Sequence, residues 1–201
     1  MNIQTKNIII KSNQITINGQ VDFEMKKADF SEFIKSAYHH YNIGYPKFFK
    51  MDNLSKLAFV SAELLLRNST ILEKHKSEEI AIVLANSASS LNTDRAYYKS
   101  VKEDIASPAL FVYTLPNIMI GEIAIRHKIK GENACFIFEK FEKDFINNYA
   151  ANLIERKQAK ACICGWVQLD GENHESQLHI VEKTTFASAK KELQLAIDCR
   201  K

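Results

Sequence analysis

Two cysteines separated by one residue, Cys162-Ile-Cys164, are the first candidates for chemistry in this sequence. The spacing could ligate a metal ion, but no second pair of cysteine or histidine residues stands at a matching distance. The two residues lie within an apolar run that predicts a strand, and we expect their thiols to point to opposite faces of it. Buried structural thiols are favoured over a metal site.

The histidines do not form a catalytic or metal-binding pattern. His39 and His40 end a predicted helix without a ligand partner, and His127 stands near a helix end, where a solvated cation is favourable. His174 falls on a turn and His179 on an edge strand; five positions apart, they would not share a face. We predict surface or capping roles for these histidines.

Other chemical motifs are weak or missing. Ser87-Ala-Ser-Ser90 follows a predicted strand, as a phosphate-binding loop would, but it has no glycine and no Gly-Lys-Ser/Thr. The sequence also lacks Gly-x-Ser-x-Gly, HExxH and paired-carboxylate patterns. It therefore indicates no cofactor and no metal.

The composition is that of an ordinary globular protein. The chain has 201 residues with 46% hydrophobic and 25% charged residues, which suits a single domain over residues 1–201. A net charge of +3 is too small to indicate nucleic acid as a partner. Four cysteines do not make a disulfide framework, no apolar run approaches the ~20 residues of a membrane span, and residues 1–7 lack a signal-peptide pattern. We expect a cytoplasmic protein without a membrane span.

The periodicity of apolar residues predicts an alternation of strands and helices. Residues 79–86 and 161–168 read as buried strands, residues 7–10 and 14–17 as a hairpin, and residues 177–182 as an edge strand. Predicted helices cover residues 30–41, with Asp29 or Ser31 as the cap, and residues 52–67, with Asp52 as the cap. Further predicted helices cover residues 92–104, 140–159 and an amphipathic tail, 186–199.

A helix–turn–strand unit between Thr114 and Phe138 stands at the centre of this order. Pro116 can open the helix, and Gly121 allows a neighbour to approach closely. Basic residues and Gly131 close the helix, with the glycine free to turn left-handed. The apolar run of residues 134–138 predicts a buried strand.

This unit resembles the segment that leads into the nucleophile of the β-ketoacyl-acyl carrier protein synthases, members of the thiolase superfamily. Asn117, Gly121 and Gly131 follow the family spacing of Asn-x-x-x-Gly with a second glycine ten positions on. Tyr45 to Lys56 resembles the family's entry into a core helix, and Ala150 to Val167 resembles a helix that passes into a strand, with Gly165 at a family glycine. The resemblance covers roughly residues 45–182, the N-terminal half of a synthase.

The resemblance implies that the nucleophile is absent. In the family a cysteine follows the second glycine by nine positions, at the tip of a sharp strand-to-helix turn. Here that position holds Lys140, preceded by Glu139. Phe138 and Phe141 flank it and would fill an acyl pocket, or simply pack in the core. Cys135 lies five positions too early, and we expect it to be buried and inert.

Lys140 itself has two interpretations. It could form a Schiff base, but that requires a depressed pKa and a carbonyl substrate. An ammonium group at a helix N-terminus also meets the positive end of the dipole. We favour a lysine that reaches outward and pairs with Glu139 or Glu142. The family also places two histidines and a lysine in its second half, for which nothing after Glu182 is long enough.

The expected fold is an α/β fold: half of a thiolase-like fold, with a mixed sheet of about five strands flanked by helices. A single half would leave an apolar helix face and a sheet edge uncovered, which is an aggregation hazard. We therefore expect a homodimer, or a heterodimer with a ketosynthase, through the strand before the nucleophile position.

Three functions follow as hypotheses. The first is a non-catalytic, ketosynthase-like accessory protein in fatty-acid or polyketide-type biosynthesis. The second is an acyl-thioester enzyme, similar to a 3-oxoacyl synthase, whose site a partner completes. The third is a binding module for acyl carrier protein, with Arg126, Lys128 and Lys130 as the contact residues.

Overall fold

The computed structural model of the protein describes residues 3–67 and 69–182. The strands are β1 Ile3–Lys11, β2 Gln14–Ile17, β3 Gln20–Glu24, β4 Ile80–Asn86, β5 Asn133–Ile137, β6 Ala161–Asp170 and β7 Asn173–Glu182. The helices are α1 Phe30–His40, α2 Asn53–Leu66, α3 Ile71–Lys74, α4 Leu91–Lys102, α5 Pro108–Phe111, α6 Ile118–His127 and α7 Lys143–Glu155. Short 3₁₀ helices cover Pro46–Lys50 and Ser77–Glu79.

The strands form one mixed sheet in the order β3-β2-β1-β7-β6-β4-β5. Strand β4 runs parallel to both β5 and β6, whereas β6–β7, β7–β1, β1–β2 and β2–β3 are antiparallel pairs. The α/β fold with a mixed sheet is confirmed. Seven strands replace the expected five or so. The strand missing from the prediction is β3, a largely exposed run of five residues in which only Val21 and Phe23 are apolar.

The sheet separates two hydrophobic cores, because successive side chains of each strand point to opposite faces. On one face, Ile80, Ile82 and Leu84 of β4 pack in the larger core with side chains from α1, α2 and α6. On the other face, Ala81 and Val83 of the same strand pack with α7. A strand buried on both faces needs the continuous apolar run that residues 80–85 supply.

The helices that frame the larger core begin at the predicted caps. Asp29 accepts a hydrogen bond from the Glu32 amide (2.8 Å) and starts α1. Asp52 accepts one from the Ser55 amide (2.9 Å) and starts α2. Such caps satisfy amide groups that have no partner inside the helix. The hairpin of β1 and β2 is also present as predicted.

Two strand predictions placed the burial wrongly. β7 was expected at an edge, but it lies inside the sheet between β1 and β6, so its alternation reflects two differently covered faces. β5 was expected to be buried, but it is an edge strand whose side chains are half-buried or exposed. An apolar run of five residues does not distinguish a central strand from an edge strand with exposed apolar side chains.

The predicted glycine roles near α6 were also wrong. Helix α6 begins at Ile118, after Pro116, and Lys128 with φ 56° supplies the left-handed residue that ends it. Gly131 instead allows close approach: a Cβ there would lie 2.9 Å from the Glu78 carbonyl oxygen and nearer still to that of Ile80. Gly121, expected to admit a neighbour, has nothing within 4 Å of an added Cβ.

Two of the helices are shorter than predicted. α7 covers Lys143–Glu155 rather than residues 140–159, and α4 covers Leu91–Lys102 rather than residues 92–104. The amphipathic tail predicted over residues 186–199 lies outside the described residues. None of the helices within residues 3–67 and 69–182 is long and apolar enough to cross a membrane.

Candidate functional site

Lys140 lies in the strand-to-helix corner between the end of β5 and the start of α7. Its side chain is 83% exposed, and its Nζ stands 3.7 Å from a carboxylate oxygen of Glu142. Glu139, beside it, is also exposed. The amide of Phe138 donates a hydrogen bond to the Asn86 carbonyl (2.9 Å), which ties the corner to the end of β4. The corner therefore presents an outward, solvated ammonium group.

The two phenylalanines of the corner pack into the smaller core on the α7 side of the sheet. Phe138 belongs to an aromatic cluster with Phe136, Phe145 and Tyr149, whose neighbouring ring centroids lie 5.0–6.3 Å apart. Phe141 stacks on Trp166 at 5.6 Å. Packing contacts account for both rings, although Phe145 remains 45% exposed and leaves the cluster open to solvent.

Cys135 lies on β5, before the corner, and is half-buried against the larger core. Burial raises the pKa of its thiol to about 11. A thiol protonated at neutral pH is a poor nucleophile.

Cys162 and Cys164 do not point to opposite faces; both are fully buried in the core under α7. The expectation was wrong because residues two apart on a strand share a face. Cys164 Sγ lies 3.3 Å from His179 Nε2, which lies 2.6 Å from Asn147 Oδ1 of α7. Hydrogen bonding from the Cys162 thiol, together with His179, holds the pKa of Cys164 below its ordinary value in spite of burial.

This buried network was missed from the sequence, although the signal was present. His179 and Cys164 are directly paired in the antiparallel ladder of β6 and β7. Both residues are less than a tenth exposed, so the thiol and the imidazole are shielded from solvent. Within the described part of the chain, no group of three or more histidine, cysteine or acidic residues could hold a metal ion.

His127 and Arg126 are held within the fold. His127 was predicted to be a solvated cation, but its side chain is 12% exposed and its Nε2 lies 3.0 Å from Glu63. Arg126 Nε donates to the same carboxylate at 2.9 Å, and its guanidinium lies over the Tyr45 ring. Burial acts to raise the pKa of Glu63, but interactions with His127 and Arg126 hold it below its usual value. His174 and His179, for which surface or capping roles were predicted, are likewise buried.

Lys128 and Lys130 are exposed, unlike Arg126. They stand before β5, whereas Lys140 follows it, so they lie at the opposite end of that strand from the corner. The three residues predicted as a carrier-protein contact therefore do not form one exposed cluster, because Arg126 points its charge at Glu63.

A second buried network fixes the segment between β4 and β5. Glu122 of α6 is 4% exposed, accepts a hydrogen bond from the Tyr113 hydroxyl (2.9 Å) and pairs with Lys47 Nζ (2.8 Å). Burial and this carboxylate raise the pKa of Tyr113. Thr93 donates a hydrogen bond to Asp52, the cap of α2. Hydrogen bonds to charged groups are among the stronger ones, so they hold α4 and α5 in place.

The sequence matches no protein-family model and none of the curated proteins compared with it. Solved structures with the same fold do exist. "The ishigamide ketosynthase/chain length factor" superposes with a TM-score of 0.65 at 15% identity, over 90% of this chain and 62% of that chain. The second structure is AntDE:AntF, a type II polyketide synthase acyl-carrier protein in complex with its ketosynthase. It superposes with a TM-score of 0.60 at 12% identity, over 90% of this chain and 62% of that chain.

A third structure is the ketosynthase ApeO in complex with its chain length factor ApeC, from Xenorhabdus doucetiae. It gives a TM-score of 0.57 at 12% identity, over 92% of this chain and 79% of that chain. The likeness shows the fold: the described residues share the thiolase-like fold of the ketosynthases. The chain spans less than two thirds of the ishigamide and AntDE:AntF chains that it matches.

Proposed function

We propose that this chain is a non-catalytic, ketosynthase-like accessory subunit that pairs with a ketosynthase in fatty-acid or polyketide-type biosynthesis. The observation that carries the proposal is Lys140, exposed and paired with Glu142 at the strand-to-helix corner of a thiolase-like fold. A helix N-terminus lowers the pKa of a thiol, so a nucleophilic cysteine belongs in such a corner. Lysine offers no comparable nucleophile while it remains a solvated ammonium group.

The proposal includes the interpretation that the chain corresponds to the N-terminal half of a synthase. The chain covers 62% of two neighbours and 79% of the ApeO–ApeC chain, which supports a correspondence with part of that fold. The outward face of α7 is polar. Asp144, Asn148, Asn152 and Glu155 are exposed there. A second half packed on this helix would bury two carboxylates and two amides, which is costly without partners.

Pairing along β5 is the second part of the proposal. β5 ends the sheet, and an unpaired strand edge is a template for another strand. Ile137 at its end is 48% exposed, and the aromatic cluster of Phe136, Phe138 and Phe145 stands beside it. Apolar side chains next to an open edge are typical of strands that add to a partner sheet.

Co-expression with each ketosynthase encoded in the source genome tests the proposal. We expect one ketosynthase to co-purify with this chain in equal amounts. Ile137→Lys places a charge on the β5 edge and should reduce the recovered ketosynthase at least about tenfold. Val21→Lys is the matched control, because Val21 is 58% exposed on β3 at the far edge of the sheet.

The competing functions give different results in the same experiment. If no ketosynthase co-purifies, and a carrier protein is retained through Lys128 and Lys130 instead, the chain is a carrier-binding module. If the chain turns over acyl thioesters and a Lys140→Ala or Cys135→Ala substitution abolishes that turnover, the non-catalytic proposal is wrong.

A further inference from the structure

Helix α4 has its apolar side facing away from the protein. Its only buried residue is Thr93, and the polar Ser100 is half-buried on the inward side with Tyr97. The outward stripe consists of Leu91, Tyr98, Val101 and, just past the helix end, Ile105, which are 38, 60, 41 and 69% exposed. These residues are separated by seven, three and four positions, so they lie on one side of the helix. A helix arranged in this way is stable in water only at a cost, unless a partner covers the stripe.

The short helix α5 and the residues after it extend the same surface. Phe111, Val112 and Leu115 are each more than half exposed. The Phe111 ring contacts Tyr97 of α4, with centroids 5.4 Å apart, so the two helices form one apolar surface. We call residues 91–115 the α4–α5 surface. It holds seven of the twelve exposed large hydrophobic residues in the described part of the chain.

The α4–α5 surface is anchored at several points rather than loosely attached. The Ser90 hydroxyl donates to the Thr114 carbonyl (3.0 Å), and Arg95 pairs with Asp170 at the end of β6 (2.6 Å). Tyr113 is held by the buried Glu122. An apolar surface that hydrogen bonds and an ion pair hold in one position is prearranged for binding, because little entropy is lost when it is covered.

The charges on this surface narrow the class of partner. Residues 91–115 carry three acidic and three basic side chains, so their net charge is zero: Asp94, Arg95, Lys99, Lys102, Glu103 and Asp104. An anionic membrane or an acidic carrier protein would select a basic surface. A neutral surface with an apolar centre fits a protein partner with an apolar surface of its own.

The area that a stable interface needs indicates that the β5 edge is not the whole contact. A stable interface buries roughly 800 Å² on each partner, more than one five-residue strand edge provides. The Phe138–Asn86 bond of the corner and the Ser90–Thr114 bond lie within four residues of each other along the loop after β4. The start of α4 and Leu115 are therefore at the same end of the sheet as the corner, where a chain paired along β5 would reach them.

We propose that the α4–α5 surface is the second contact on which the ketosynthase that pairs along β5 packs. This inference rests on the proposed function and adds to it the location of the larger apolar contact. The ketosynthase would cover the outward stripe of α4, and Tyr98, near its middle, would be among the residues buried.

Charge insertion into the stripe tests the inference in the co-expressed complex. We expect Val101→Glu to weaken recovery of the ketosynthase at least about tenfold, whereas Val21→Glu, on the far edge of the sheet, leaves it unchanged. Both residues are exposed valines, so the isolated variants should show the wild-type circular dichroism spectrum and melting temperature. A photo-cross-linking residue, p-benzoylphenylalanine, replacing Tyr98 should couple to the ketosynthase, and the same residue replacing Val21 should not.

Two results would overturn the inference. In the first, the wild-type pair forms and Ile137→Lys disrupts it, but Val101→Glu leaves it intact and position 98 gives no cross-link. Pairing along β5 would then be supported, and the α4–α5 surface would not be part of the interface. In the second, the chain alone dimerises and position 98 cross-links to a second copy, which would make the occupant this chain itself. Failure of every ketosynthase to bind the wild-type chain counts against the proposed function as well.

Discussion

His174 joins segments that are far apart in the chain. Its Nε2 accepts a hydrogen bond from the Asn13 amide (3.1 Å), and its Nδ1 therefore carries the proton and donates to the Glu172 carbonyl (2.9 Å). The ring also stacks on Phe33, with centroids 5.5 Å apart, and contacts the Phe30 ring at a tilt, with centroids 4.9 Å apart. Only the neutral imidazole can make both hydrogen bonds.

The stability of the fold should therefore depend on pH through His174. Burial lowers its pKa below the ordinary value of about 6.5, and the Glu172 carbonyl and carboxylate oppose this only in part. Because the pKa is depressed in the folded state, the contribution of neutral His174 to the free energy of unfolding is fully present above about pH 6.5. It is lost as the pH falls through the folded-state pKa. Urea unfolding between pH 7.5 and pH 5 should show this loss.

Two variants separate this effect from other acid effects. His174→Gln keeps an acceptor and cannot titrate, so its unfolding free energy should fall less steeply over the same pH range than that of the wild type. His174→Leu leaves the Asn13 amide without an acceptor and should cost about 1–3 kcal/mol at pH 7.5. Equal slopes for wild type and His174→Gln would contradict the assignment.

At the scale of elements, Gly131 has the close-approach role that the sequence suggested for Gly121. Gly131 lies against the backbone at the start of β4, where an added Cβ would overlap two carbonyl oxygens. Gly121 lies inside α6 with open space around its Cα. We expect Gly131→Ala to destabilise the protein by about 1–3 kcal/mol. We expect Gly121→Ala to stabilise it by about 0.5–1 kcal/mol, because glycine is a poor helix former.

Chemical denaturation of the two alanine variants measures this difference directly. The substitution is the same in both, so the opposite signs report the surroundings of each glycine. If Gly121→Ala also weakens the ketosynthase complex while stabilising the isolated chain, a partner occupies the space beside α6. A stabilising Gly131→Ala would show that β4 and the turn before β5 do not pack as described.

Much of the element order could be predicted from the sequence because caps and apolar runs are local signals. Asp29 and Asp52 start their helices where predicted, and the run of residues 80–85 forms a strand buried on both faces. Neighbourhood in the sheet is not local, so β7 was placed at an edge and β5 in the interior, each wrongly.

At the candidate site, too, local features could be predicted and contacts between distant elements could not. The resemblance put Lys140 at a strand-to-helix corner, where it does lie. It could not show that Arg126 and His127 share Glu63, or that Glu122 holds Tyr113, because those contacts join residues from different elements. The outward stripe of α4 was available in the sequence, but a stripe alone does not reveal which side of a helix faces the core.

For the whole molecule, the exposed surfaces differ from those expected of half a thiolase-like fold. The outward face of α7 is polar, with Asp144 and Glu155 exposed at its two ends. The uncovered apolar surfaces lie on β5 and on the α4–α5 surface. These exposed surfaces are the basis of the proposed pairing along β5.

The central claim is that chemistry in such a pair belongs to the ketosynthase. The co-purified complex, incubated with an acyl-carrier-protein thioester and examined by intact-mass spectrometry, tests it most directly. We predict an acyl adduct on the ketosynthase subunit and an unmodified mass for this chain. A stoichiometric acyl adduct on this chain, at Lys140 or at any of its cysteines, would contradict the account.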